Sequence, residues 1–127
     1  MLTEEQTQTP TIDLEARVKE YLDAFHKHDM DRCMAAFAGN AVIHFHTSTF
    51  SGHAELLEWH KERFDADLRM ERMEAISTEG DTVTVEASAT SKRLRAWKLN
   101  TVSGIMTVRF ANGLIQELRF GVSLDFW

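Results

Sequence analysis

The side chains in this sequence best suited to proton transfer, nucleophilic attack or metal binding are six histidines, one cysteine and one tyrosine. His44 and His46 stand two residues apart in a β-rich run, so on a strand they would share a face, where a neutral imidazole could act as a general base. The same alternation places Ile43 and Phe45 on the other face. If those two point into a core, both histidines point outward to solvent or to a partner. His60 falls on an apolar-leaning helical stripe with Leu57 and Phe64, positioned to reach a pocket mouth or to be satisfied by a buried polar neighbour. Tyr21 also lies on an apolar helical face; its ring fills core, and its hydroxyl needs a partner, which could be a ligand oxygen or another side chain. Cys33 is spaced with Met30 and Phe37 and reads as a small buried hydrophobe rather than a nucleophile.

No metal site is expected. His26, His28, His53 and His60 lack a recognisable ligand spacing, and three protein ligands in defined geometry are the usual minimum for zinc. The sequence has no Gly-rich phosphate loop, G-x-S-x-G elbow, cysteine-pair motif or paired-carboxylate constellation. Its many acids, among them Glu55, Glu58, Glu62 and Glu71, fall on polar faces. Trp59 and Arg63 flank the His60 stripe, and Trp59 and Trp97 are candidates for a ligand wall.

These residues must be positioned by a small set of elements. From Thr11, Leu14, Val18, Tyr21, Leu22 and Phe25 recur at spacings of three and four, predicting a helix that ends near His28. Asp29 caps a second, shorter helix through Met30, Cys33, Met34 and Phe37, with Gly39-Asn40 as its stop. Ala41 to His46 predicts a short strand, followed by small polar residues and a Ser51-Gly52 turn. His53 to Phe64 predicts a third helix, flanked by Asp65 and Asp67. Three strands follow: Arg69 to Ser77, a Gly80-Asp81 turn, Thr82 to Leu94, and the first arm of a hairpin that turns at Asn112-Gly113. On that hairpin Met106, Val108 and Phe110 share one face of the first arm, and Leu118, Phe120, Val122, Leu124 and Phe126 share one face of the second. The basic cluster Lys92, Arg93, Arg95 and Lys98 reads as a solvated strand end.

At 127 residues and 43% hydrophobic composition, the chain can bury a core without disulfide or metal. A net charge of −6 argues against nucleic acid as a principal partner. The polar opening residues lack the apolar segment of a secretory or membrane-spanning start, and with a lone cysteine the natural expectation is the cytoplasm. Residues 1–11 are expected to be a flexible tail and 12–127 a single domain. The element order predicts an α+β fold with helices on one side of a curved antiparallel sheet.

The run EYLDAFHKHDMDRCMAAFAGNAVIHF, the Phe50-Ser51-Gly52 turn and the closing RFANGLIQELRF together resemble the NTF2-like superfamily, most nearly its SnoaL-like branch, over residues 14 to 125. That resemblance implies a cone-shaped half-barrel wrapped around the first helix, an apolar pocket open at one end, and homodimers formed through the outer sheet face. It also implies a choice of activities, since the superfamily holds isomerases, polyketide cyclases, dehydratases, epoxide hydrolases and non-catalytic binders. Against the ketosteroid isomerase pattern, Tyr21 matches the tyrosine that hydrogen-bonds the substrate oxyanion. Phe45 stands where that pattern has its general-base aspartate, and Met106 where it has its oxyanion-hole acid. Against the SnoaL cyclase pattern the late acid aligns with Ser123, with Asp125 two residues on.

The resulting expectation is an apolar pocket for a small hydrophobic molecule, with Val18, Tyr21, Leu22, Phe25, Ile43, Phe45, Leu57, Trp59, Met106, Val108, Phe120 and Val122 in its wall. Catalysis would be cofactor-independent proton transfer next to a carbonyl, with Tyr21 as hydrogen-bond donor and His44 or His60 as base. The alternative is a non-catalytic ligand-binding or dimeric association domain, its cone plugged by Phe45, Met106 and Phe120.

Overall fold

A computed structural model describes residues 13–97 and 102–122, with the side chain of Val122 outside the description. The expectations for residues 1–11 and for Lys98, Ser123, Leu124, Asp125 and Phe126 lie outside the described residues. Helix α1 runs Leu14–His26, opened by Asp13, whose Oδ1 accepts from the Ala16 amide at 3.1 Å. It buries Val18, Tyr21, Leu22, Ala24 and Phe25, the stripe that its three-and-four spacing dictates. Asp29 caps α2, Met30–Ala35, by accepting from the Arg32 amide at 3.2 Å.

Here the sequence expectation fails in one respect. Gly39-Asn40 does not stop a helix: α2 ends at Ala35, and strand β1, Phe37–Phe45, already contains both residues. The cause is tertiary. The Ile115 amide donates to the Ala36 carbonyl at 2.8 Å and Phe37 pairs with Ile115, so a distant strand takes over the backbone groups that a longer helix would have used. The register slips between Phe37 and Val42, and the Gly39-Asn40 pair occupies that irregular stretch.

The small polar residues after β1 run on with Phe50 into a strand, β2 (Ser48–Ser51), antiparallel to β1. Helix α3, His53–Asp65, starts at Gly52, whose φ of 85° suits glycine, and the Glu55 carboxylate accepts from the Ser51 amide at 2.8 Å. Strands β3 (Arg69–Glu79) and β4 (Thr82–Thr90) follow. The fourth strand is shorter than its sequence suggests, because the Ser91 hydroxyl accepts from the Leu94 amide at 3.4 Å and turns Lys92–Ala96 into a one-turn helix, α4. Strands β5 (Val102–Ala111) and β6 (Leu114–Val122) form the hairpin, with Asn112 at φ 54° and Gly113 at φ 80° between them. Both central residues at positive φ match the right-handed twist of the arms.

The result is an α+β fold with a curved, unclosed sheet ordered β2-β1-β6-β5-β4-β3. Strands β3 to β6 run antiparallel in succession, and β1 joins β6 in parallel. Helix α1 packs against β3 and β4, while α3 packs against β1 and β2. The core fills one end of the concave side, where Phe25, Ile43, Trp59, Val83, Val108 and Leu118 are each at most 1% exposed.

Candidate functional site

The other end of the concave side is open, and there the wall encloses a cavity of about 830 Å³. This size lies within the range of small-molecule sites. Its floor is sheet: Val85, Ala87 and Ala89 from β4, and Val102, Gly104 and Met106 from β5. These positions repeat with period two, so the strand alternation that builds the core also lines the cavity. Small residues keep the space open. A Cβ on Gly104 would come within 2.9 Å of the Gly121 carbonyl oxygen, so the two strands approach closely there.

Phe45 and Phe120 form the boundary between core and cavity, with ring centroids 5.6 Å apart in T-shaped contact. Trp59 lies one layer behind them, fully buried, 5.7 Å from Phe45 and 5.5 Å from Phe120. Leu68 and Met70 add apolar surface, and the rim is α4 with Leu94 and the exposed Trp97.

The polar groups of the wall are few. Arg63 projects from α3 four residues after Trp59, with its guanidinium carbon 4.5 Å from the Phe45 ring centroid. Its Nε is buried without a hydrogen-bond partner among the described residues. Burial works against the charge of this guanidinium, and Glu62 offsets part of that effect. His46 lies at the mouth. The strand ends at Phe45 and His46 takes φ 57°, which brings its ring against Phe45 at 4.3 Å. Lys92 and Arg93 lie on the rim, and Arg93 sits over Trp97 at 5.2 Å.

The candidate residues therefore divide among three places. Phe45, Met106 and Phe120 line the cavity. Val18, Phe25, Trp59 and Val108 are buried in the core and are not cavity wall. His44 stands apart from Tyr21 and His60, and none of the three lines this cavity. His44 lies on the outer sheet face, where its Nε2 meets Glu117 at 2.7 Å and its Nδ1 meets the Thr49 hydroxyl at 3.3 Å. The strand alternation thus carries Ile43 inward and His44 outward, and the left-handed turn separates His46 from it.

Tyr21 and His60 meet in the core. His60 Nδ1 lies 2.7 Å from the Leu56 carbonyl, which can only accept, so Nδ1 carries the proton. Nε2 is then an acceptor, and the Tyr21 hydroxyl donates to it at 2.7 Å. The protons of both partners are thus committed to each other and to the backbone. Burial lowers the His60 pKa and raises that of Tyr21 well above the usual phenol value, so both are neutral. Phe25, Phe37, Trp59 and Phe64 surround the imidazole.

Other ionisable groups hold the frame. His26 Nε2 accepts from the Met70 amide at 3.0 Å and fastens β3 to α1; burial and the Arg69 charge lower its pKa. Asp67 joins Arg69 at 3.0 Å and Arg95 at 2.7 Å, tying α4 to the α3–β3 turn. Burial opposes its charge, but the Arg69 hydrogen bond and the nearby cations outweigh that and lower its pKa. Cys33 is buried and its thiol is pushed up to about 12, chiefly by desolvation, which removes it as a nucleophile near neutral pH. Among the described residues no three His, Cys, Asp or Glu side chains cluster as a metal site, and no described helix is long and apolar enough to cross a membrane.

The sequence profile of the SnoaL-like domain matches residues 18–118. The chain belongs to the SnoaL-like family. Solved structures share its fold. A polyketide cyclase candidate from Sinorhizobium meliloti superposes with TM-score 0.72 at 21% identity, covering 83% of this chain and 93% of that one. SalBIII, an epoxide hydrolase/cyclase-like enzyme with a role in pyran ring formation in the polyether salinomycin, gives 0.74 at 19% identity, covering 97% and 95%. An NTF2-like protein of unknown function from Cytophaga hutchinsonii gives 0.73 at 11% identity, covering 91% and 94%. No curated protein sequence matches significantly.

In this SnoaL-like chain the polar residue that the sequence underrated is Arg63. The available signal was its spacing of four from Trp59, which puts both on one helical face. Lys92 and Arg93, read as a strand end, lie instead on the short helix at the rim.

Proposed function

We propose that this SnoaL-like protein binds a small, largely apolar molecule in the cavity between α3, α4 and the concave face of β4 and β5. The observation that carries this reading is the cavity of about 830 Å³ with its floor of Val85, Ala87, Val102 and Met106. A ligand held there would cover the part of the apolar lining that still meets water, which is favourable at about 25 cal/mol per Å² of apolar surface. Native mass spectrometry of protein purified without detergent tests it, with a copurifying apolar molecule as the expected result. Trp97 supplies a second readout. Because it is 62% exposed at the rim, ligand entry should shift its emission to the blue, and Trp97→Phe should abolish that change. An empty cavity and unresponsive emission across a panel of aromatic and terpenoid compounds would refute the reading.

A second reading, cofactor-free isomerisation or cyclisation, rests on His46 and Arg63 flanking the same Phe45 ring. In that chemistry the imidazole takes a proton from carbon beside a carbonyl and returns it to another carbon, while the guanidinium stabilises the intervening oxyanion. Tyr21 and His60 serve as a core brace in this scheme. A cavity-binding ketone should exchange its α-hydrogens with deuterated water in the presence of the protein, and His46→Gln should stop the exchange while leaving binding intact. The outer sheet face, where Ile105 is 50% exposed beside Glu86, is the surface proposed for a homodimer.

A further inference from the structure

We propose that the ligand is an amphipathic anion, an apolar body carrying one negatively charged oxygen group that docks on Arg63. This rests on the cavity-binding reading above and adds the chemical class of the ligand. The chain is acidic overall, with 20 Asp and Glu against 14 Lys and Arg, yet its cavity is not. The described lining residues include Arg63, Lys92, Arg93 and His46 and not one Asp or Glu. Such a segregation of sign is what a site for an anion requires, because the general negative field of the protein would otherwise repel it.

Arg63 has the geometry of the docking group. Its side chain is 19% exposed, and its nearest carboxylate, Glu62, reaches only Nη2 at 3.5 Å while remaining 52% exposed itself. The Nε–H is buried and has no acceptor among the described residues. Taking a charged donor out of water without an acceptor is costly, and a neutral hydrocarbon in the cavity would leave that cost unrelieved. An anionic oxygen meeting the part of the guanidinium that remains exposed would balance the charge and offset that cost. The planar guanidinium, held over Phe45, offers parallel donors that match a carboxylate, and neighbouring Phe120 and Met106 accommodate the apolar body. Lys92 and Arg93, exposed at the rim, would draw such a ligand in without being buried by it.

Two fluorescent probes of similar shape separate charge from apolar fit: anilinonaphthalene sulfonate, which is anionic, and phenylnaphthylamine, which is uncharged. The wild-type protein should bind the anionic probe at least about tenfold more tightly than the neutral one, the scale of a charge-assisted hydrogen bond. Arg63→Met should erase that preference while leaving the neutral probe's affinity in place, which also shows that the variant is folded. Arg63→Lys should restore part of it. Equal affinities for the two probes in the wild type, or a preference that survives in Arg63→Met, would overturn the anion assignment and leave the cavity reading standing. Failure of the wild type to bind either probe would overturn both.

Discussion

The Tyr21–His60 pair shows how two residues suited to chemistry can be committed to structure. Both protons of the pair are committed inside the core, Tyr21 O–H to Nε2 and Nδ1–H to the Leu56 carbonyl, so neither group has a proton to offer a ligand. Tyr21→Phe would keep the ring and strand Nε2 of His60 without a donor, at a cost of about 1–3 kcal/mol. Chemical denaturation should read that loss, while binding of the neutral probe to the cavity should be unchanged. The same burial sets a pH dependence. His60 and His26 both have pKa values lowered by the fold, so the unfolded chain takes up protons that the folded chain refuses. Their stabilising contribution is complete above the ordinary imidazole value near 6.5 and is lost as pH falls through the lowered folded values. Thermal melts between neutral pH and pH 5 should show a falling midpoint, less steep in a variant carrying His60→Gln. From sequence, each residue's helical face was legible. Their meeting was not, because 39 residues separate them and no local pattern encodes a contact between two helices.

Among the elements, those specified by local chemistry were legible and those specified by distant pairing were not. Asp29 as a cap, the Asn112-Gly113 turn, the inward faces of β4 and β5, and the outward turn of His44 all follow from periods and turn residues. Strand β2 is three small polar residues and Phe50, too short a pattern to read alone, and its ladder with β1 makes it a strand. Helix α4 depends on Ser91 and on the Arg95–Asp67 pair, which crosses to another element. The cavity wall was partly legible for the same reason: Phe45, Met106 and Phe120 follow from alternation, whereas Arg63 stands out only once α3 is laid against β1. Between β5 and β6 the fold depends on a missing side chain. In Gly104→Ala the new methyl would press on the Gly121 carbonyl, a backbone atom that cannot swing away. We expect a loss of about 1–3 kcal/mol, seen as a lower denaturation midpoint with unchanged slope.

At the scale of the whole molecule, the two faces of the sheet have different tasks. The concave face divides into core and cavity, and the outer face carries Glu117, ringed by His44, Arg109 and Arg119, and, farther along β5 opposite Gly121, the exposed Ile105. If two copies join through this face, sedimentation equilibrium at micromolar protein should return the mass of a dimer, and Ile105→Lys should return that of a monomer. A wild-type protein that sediments only as monomer would refute the dimer. The same sheet also constrains the order of events during synthesis on the ribosome. Strand β6 is made after every other described strand, yet it lies third in the sheet, parallel to β1 on one side and antiparallel to β5 on the other. Until Leu114–Val122 has left the exit tunnel, the nascent chain holds two separate sheet fragments with bare edges, β2-β1 and β5-β4-β3, and nothing to join them.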